Sequence, residues 1–307
     1  MDVHFGFPAE RLGPAALAVG SFDGLHLGHQ AVLRCLRTAA DEEGLTTALI
    51  TFDPHPRCVL DPANCPLMIT TLEERLELAG QLGVEHAMVL EFNRALAGLA
   101  AEEFMGRVLE AMDLRRLVVG PDFALGRRRT GNVDWLRAHG EQAGYGVQVV
   151  PPLRVEGEEV HSSEVRRRLI LGEVEAANRL LGRDFTLTGL VLPGDRIGRE
   201  MGWPTVNLSV PPGKLVPARG IYAGWCATPE GDHMAGISIG YRPTFSSAEL
   251  RVEAYLIDFS GDLYQQRLSF RLVSRLHDEI RFSDMAALSD QIARDVEETR
   301  RLLGGRR

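Results

Sequence analysis

The stretch "ALAVGSFDGLHLGHQAVLRCLRTAADEEGLTTALITF", residues 16–52, decides the fold. Residues 16–20 form a short apolar run, as a buried strand requires. Residues 27–44 carry apolar side chains at helical spacing and stop at Gly44; residues 46–52 are a second β-rich run. Strand, helix and strand in close succession make the unit of a parallel sheet, because parallel neighbours need a crossover between them. The alternation continues with a helix over 70–83, opened by Thr70 and Thr71 with Glu73 and Glu74 in capping-box spacing. A strand over 86–92, a helix over 100–112, a strand over 116–120, a helix over 132–144 and a strand over 146–152 follow. The expectation is a parallel sheet covered on both faces, with ligands beyond the carboxyl ends of its strands.

Two short helices, 162–172 and 173–182, lead out of this region. TLTGLVL, GIYAGWCA, HMAGISIG, RVEAYLIDF and QRLSFRLVSRL are then short β-rich runs parted by glycine and proline, the pattern of a small antiparallel barrel. An amphipathic helix over 283–303 is expected to pack on that barrel. The predicted domains are 1–182 and 183–307.

Composition narrows the function. Of 307 residues, 25% are charged and 45% hydrophobic, as in a globular protein with a real core. No apolar run approaches the ~18 residues of a membrane span, and MDVHFGFPAERLG lacks the features of a signal peptide, so a cytoplasmic protein is expected. The net charge of −8 falls on residues 1–182, with 18 Arg against 26 acidic residues, while 183–307 balance at 16 and 16. Such a distribution argues against nucleic acid as a partner. The single lysine, Lys214, lies in GKL, which excludes a Walker P-loop. Cys35, Cys58, Cys65 and Cys226 form no CxxC pair and are expected as reduced, mostly buried thiols.

"GSFDGLHLGH", residues 20–29, occupies the turn from the first strand into the first long helix. Gly20 and Gly24 allow a tight turn and close approach to a ligand. The helix start offers free N–H groups to phosphate. His26 and His29, three apart, share a helical face. Two imidazoles there can donate to a triphosphate and follow its charge toward pyrophosphate. Nucleotidyl transfer fits: a nucleophile that is already anionic needs no general base.

The chain resembles the bacterial bifunctional riboflavin kinase/FMN adenylyltransferase (FAD synthetase) family along nearly its whole length. The resemblance rests on Gly20–His29, on TFDPHP (51–56), TTLEER (70–75), GPDFALG (120–126), HSSEVR (161–166) and the joint LLGRDFTLTG (180–189). It implies a nucleotidyltransferase-like Rossmann domain that joins ATP to FMN, followed by a riboflavin kinase barrel. It assigns Gly20, Phe22, Asp23, Gly24, His26, His29, Ser162, Ser163 and Arg166 to the ATP phosphates. Arg166 suits that role by its guanidinium fork, whereas Arg167, Arg168 and Arg127–Arg129 read as solvated charge. His55, on a stiff Pro-His-Pro backbone, and Asp122 fall on the FMN side. Phe123 either stacks on flavin or belongs to the core.

In the second half, "GREMGWPTVN" (198–207) matches the family's kinase signature. Thr205 and Asn207 share one face of an extended segment and offer two neutral oxygens suited to Mg²⁺. Glu253, in VEAYLIDF, matches the family's general base, which an alcohol nucleophile benefits from. Gly198, Gly220 and Tyr222 match the family's nucleotide side, and GYRPTF (240–245) its RPTF strand. The substrates implied are riboflavin, FMN and ATP, with FAD as product. The chain departs from the family pattern at Ser21, Asn132, His161, Tyr241 and His277, the last on the flavin side of the kinase site. Three rival readings stay open: loss of one activity, a flavin-binding regulator without catalysis, and another HxGH transferase acting on phosphopantetheine or nicotinate mononucleotide.

Overall fold

A computed structural model describes residues 1–193, 198, 201–243 and 248–305. The chain divides into two units, Met1–Ser162 and Ser163–Arg307.

The first unit contains β1 (Asp2–Phe5), β2 (Leu12–Val19), α1 (Leu27–Glu43), β3 (Thr46–Asp53), α2 (Pro56–Leu60), α3 (Leu72–Gln81), β4 (His86–Glu91), α4 (Arg94–Gly98), α5 (Ala101–Ala111), β5 (Met112–Val119), α6 (Val133–Ala143) and β6 (Gly146–Val149). The sheet order is β1-β4-β3-β2-β5-β6, with every pair parallel. Alternate side chains leave opposite faces. Ala15, Leu17 and Val19 join one core with Phe104 and Met105 of α5, whereas Ala16 and Ala18 join the other with Leu33 and Leu36 of α1. Burial on both faces explains why β2 reads as one continuous apolar run. Helix α1 ends at Gly44, whose φ of 65° is left-handed, and α3 starts at the expected capping box, formed by Thr71 and Glu74. The strand order reverses direction between β2 and β5, so the turn after β2 and the loop after β5 flank one crevice.

One expectation is corrected. Cys58 and Cys65 are not reduced thiols but a disulfide, with Cα atoms 4.2 Å apart. Helix α2 and the 3₁₀ turn Pro62–Asn64 fold the loop back on itself, which a search for CxxC spacing does not register. Cys35 and Cys226 are free. Burial pushes the Cys226 thiol up to about 12, and burial also raises that of Cys35. In denaturant without reductant, two thiols should label, Cys35 and Cys226; labelling of all four before reduction would refute the pairing.

The second unit contains α7 (Ser162–Ile170, its first residue in the preceding unit), α8 (Val174–Leu181), β7 (Phe185–Leu192), β8 (Thr205–Ser209), β9 (Gly220–Thr228), β10 (Gly231–Pro243), β11 (Ala248–Leu256), β12 (Arg267–His277) and α9 (Met285–Leu303). The strands close a barrel in the order β7-β8-β11-β10-β9-β12. All its pairs are antiparallel. The interior row Ala254, Ile237 and Tyr222 is fully buried, each residue opposite the next. Helix α9 packs on the barrel as expected; the Trp203 indole N–H donates to Ser289 Oγ at 3.0 Å.

Candidate active sites

In the first unit the turn after β2 is built from unusual backbone. Phe22, Gly24 and Leu25 have φ of 48°, 85° and 40°. Two of these are not glycine, so neighbours must hold the turn. A Cβ at Gly24 would lie 3.0 Å from the Ile69 side chain, so both its φ and its packing require glycine. Asp23, 1% exposed, supplies much of the restraint. Its Oδ1 accepts from Thr70 N at 2.9 Å and Thr70 Oγ1 at 3.1 Å, and its Oδ2 from Ile69 N at 3.1 Å. Gly24 N donates to Thr70 Oγ1 at 3.0 Å. Arg75, 2% exposed, donates to Thr51 Oγ1 at 3.0 Å and to the Phe52 carbonyl at 3.1 Å. Desolvation lowers its pKa, and the nearby Asp23 and Asp53 charges act in the opposite sense. Thr51 Oγ1 in turn donates to the Ser21 carbonyl at 3.1 Å. The TTLEER segment therefore braces the turn through Thr70 and Arg75, a long-range coupling that no local pattern announces.

Asp23→Ala should strand two buried N–H donors and cost about 3 kcal/mol. The first unit's calorimetric transition should fall by roughly 6–12 °C. An unchanged transition would show that the carboxylate does not restrain the turn.

The two histidines meet on this turn. His26 is buried and His29 half-buried, their rings stacked with centroids 3.7 Å apart. His26 is the N-cap of α1: its Nδ1 accepts from His29 N at 3.3 Å. A neutral His26 then carries its proton on Nε2, which makes that atom a donor. The Phe22 ring stands 5.1 Å from that of His29. A Cβ at Gly28 would come within 3.1 Å of the His26 ring, so the second glycine of the motif makes room for the imidazole. Ser162 Oγ donates to the Asp23 carbonyl at 2.9 Å, which brings it to the same turn.

The other expected residues are distributed as follows. His55 caps α2, its Nδ1 accepting from Arg57 N at 3.2 Å. Asp122 is exposed, and its carbonyl accepts from the Arg129 guanidinium at 2.6 Å. Phe123 is half-buried and packs against the core beneath β5. Arg127–Arg129 are exposed. Ser163 and Arg166 belong to the second unit, three residues apart on one face of α7.

In the second unit the barrel register assembles a second candidate site. Asn207 lies opposite Glu253, and Thr205 opposite Tyr255. Glu253 also lies opposite Ser238, and Ser238 opposite Ile221. Directly paired residues share a face, so these side chains form one outer row, back to back with the buried interior row. Thr205 Oγ1 donates to Glu253 Oε2 at 3.4 Å, and Arg251 reaches Glu253 Oε1 at 3.4 Å. Helix α9 covers the row and leaves a pocket of ≈ 270 Å³ lined by Gly198, Thr205, Glu253, Tyr255, Leu288 and Asp295, among others. Tyr222 takes the opposite alternation: it is fully buried, and its hydroxyl donates to the Ala218 carbonyl. Gly220 approaches β12 so closely that a Cβ would meet the His277 carbonyl at 2.7 Å. Arg199 and Glu200 of the signature, and Thr244 and Phe245 of GYRPTF, lie outside the described residues.

Comparison with known proteins covers both halves. The FAD synthetase family model matches residues 9–164, and the riboflavin kinase model residues 181–303. The bifunctional riboflavin kinase/FMN adenylyltransferase of Pseudomonas fluorescens is 36% identical over 92% of this chain and 91% of its own length. That of Listeria monocytogenes is 33% identical over the same shares. The chain belongs to the bifunctional riboflavin kinase/FMN adenylyltransferase family.

A crystal structure described as a macrolide-efflux protein from Streptococcus pneumoniae is similar over 96% of this chain and 95% of its own, with TM-score 0.87 and 30% identity. That description concerns the streptococcal protein; among the described residues here no helix is long and apolar enough to cross a membrane. Within the family pattern, the departures have local explanations. Asn132 caps α6 by accepting from Trp135 N at 2.9 Å, as an aspartate would. His161 is exposed and pairs with Glu159 at 3.2 Å. Tyr241 is half-exposed beneath the Arg219 guanidinium, 5.7 Å away. His277 reaches α9, as described below.

Proposed function

We propose that this chain makes FAD in two ATP-dependent steps, with a functional boundary at Gly182. The barrel domain phosphorylates riboflavin to FMN; the first domain transfers AMP from ATP to FMN and releases pyrophosphate. The observation that carries the reading is that the stacked His26–His29 pair and the Thr205–Asn207–Glu253 row are both present on one chain.

In the adenylyl step the FMN phosphate is already an anion and attacks the α-phosphorus directly. His26 and His29 donate to the triphosphate as negative charge moves onto the departing pyrophosphate. The turn of Gly20, Phe22, Asp23 and Gly24 presents backbone N–H groups to the same phosphates, with Ser162, Ser163 and Arg166 as further donors. His55, Asp122 and Phe123 serve the flavin side. In the kinase step Glu253 accepts the proton of the ribityl 5′-hydroxyl, whose oxygen forms the new bond to the γ-phosphorus while ADP leaves. Gly198 and Gly220 serve the nucleotide. Tyr222, buried in the barrel, acts on it through the Ala218 backbone. The Thr205 hydroxyl and Asn207 amide oxygens beside Glu253 are hard, neutral donors that fit Mg²⁺, and the ion would supply charge neutralisation at the phosphates. We assign both steps to the cytoplasm, because both consume ATP.

Separating riboflavin, FMN and FAD by fluorescence chromatography tests this reading. Purified protein with ATP and Mg²⁺ should yield FAD from either riboflavin or FMN. FAD only from FMN would remove the kinase assignment, and FMN without FAD the adenylyl assignment. No product from either would leave a flavin-binding regulator.

A further inference from the structure

The outer row of the barrel does not end at Ile221. The pairing of β9 with β12 shifts register between Ile221 and Tyr222: Tyr222 faces Arg275, yet Ile221 faces His277 rather than Leu276. Such an irregularity re-aims a side chain, and here it delivers His277 to the row that holds Ser238 and Glu253. From there the imidazole reaches α9. Its Nε2 lies 2.9 Å from Asp295 Oδ1, and Gln291 Nε2 donates to the same oxygen at 2.7 Å. The other ring nitrogen, Nδ1, lies 2.7 Å from the Asp278 carbonyl. Gln291 Nε2 also stands 3.3 Å from His277 Nε2, so imidazole, amide and carboxylate form one cluster.

Asp295 itself lines the kinase pocket, with a side chain only 14% exposed. The other lining residues from α9 are Leu288, Ile292 and Val296, all apolar. A carboxylate set among them carries a desolvation cost that hydrogen bonds must offset. Among the described residues, the hydrogen bonds that Asp295 makes with His277 and Gln291 both fall on Oδ1. Oδ2 is the oxygen left to receive a donor from a molecule in the pocket. Riboflavin brings two kinds of donor, the ribityl hydroxyls and the imide N–H of its ring.

We propose that Asp295 recognises the flavin substrate by accepting one of these donors, and that His277 is the positioning residue that fixes its carboxylate. The proposal rests on the kinase reading of the barrel. It also gives the family departure at position 277 a function: the imidazole is long enough to span from β12 to α9 and meet the Asp295 carboxylate.

Steady-state kinetics of riboflavin phosphorylation test it in the full-length protein. Asp295→Asn should raise the KM for riboflavin by about 10-fold or more while kcat and the KM for ATP change by less than about 3-fold, the signature of lost ground-state binding. His277→Ala should raise the same KM about 3- to 10-fold, and His277→Arg, which keeps an N–H donor of similar reach, should restore most of it. FAD formation from FMN should be unaffected in all three. An unchanged riboflavin KM in Asp295→Asn, or a His277→Ala variant that lowers only the melting temperature, would overturn the proposal. If Asp295→Asn fails to fold, the His277 pair decides it. If the unmodified protein does not phosphorylate riboflavin, the kinase reading fails, and riboflavin titration by fluorescence quenching with ADP present still measures whether Asp295→Asn weakens binding. Lumiflavin, which lacks the ribityl chain, identifies the donor. Equal weakening for both flavins supports the ring imide, weakening for riboflavin alone supports a hydroxyl, and weakening for neither rejects the contact.

Discussion

Replacing His29 with alanine should lower FAD formation from FMN by about 100- to 1,000-fold, the usual loss on removing one preorganised donor from a developing charge. Riboflavin phosphorylation should continue at its normal rate, and FMN should accumulate. The structure explains why this variant is the clean one. The His29 ring is half-buried between His26 and Phe22, but its backbone N–H is what bonds His26 Nδ1. Alanine keeps that N–H, so the cap of α1 survives while the imidazole is lost. His26→Ala is different. It removes a donor and also the N-cap, so stability should fall by about 1 kcal/mol along with activity. Chromatography of the flavins, with far-ultraviolet circular dichroism as the folding control, reads both. FAD formation by His29→Ala within 3-fold of the unmodified rate would eliminate the imidazole's role.

Glu253→Gln should produce the mirror image. Phosphorylation of riboflavin should fall by about 100- to 10,000-fold, the range for loss of a positioned base, with FAD still formed from added FMN. Glutamine preserves shape, so the pairing of Glu253 with Asn207 and Ser238 should persist. An intact melting temperature would therefore accompany the kinetic loss. The two steps differ in need: an alcohol must lose a proton, whereas a phosphate anion has none to lose. A Glu253→Gln variant with unaltered kinase rate would mean the proton leaves by another route.

Much of this was legible in the primary sequence, for local reasons. Strands β2 and β3 are buried on both faces and read as apolar runs; α1 and α3 carry their own stop and start signals in Gly44 and Thr71–Glu74. His26 and His29 need only a strand-to-helix turn to be recognised. Long-range features left no such mark. Strand β1 is four residues at a sheet edge, defined by its pairing with β4 rather than by a pattern of its own. The bracing of Asp23 by Thr70 spans 47 residues, and the Cys58–Cys65 bond depends on a loop reversal. Asp295 reads as one more acid on an amphipathic helix until α9 is seen closing the pocket.

The alternation of the barrel strands has a consequence for how this chain can vary. Glu253 and Ala254 are adjacent in sequence, yet one faces the pocket and the other the packed interior. Losing a single residue within β8, β10 or β11 would exchange those two faces along the strand, carrying a charge into the core and an alanine to the chemistry. Closure leaves no free edge at which such a slip could be absorbed. Length changes that preserve activity are therefore confined to the turns, and the spacing within each strand is as much a part of the kinase as the residues themselves.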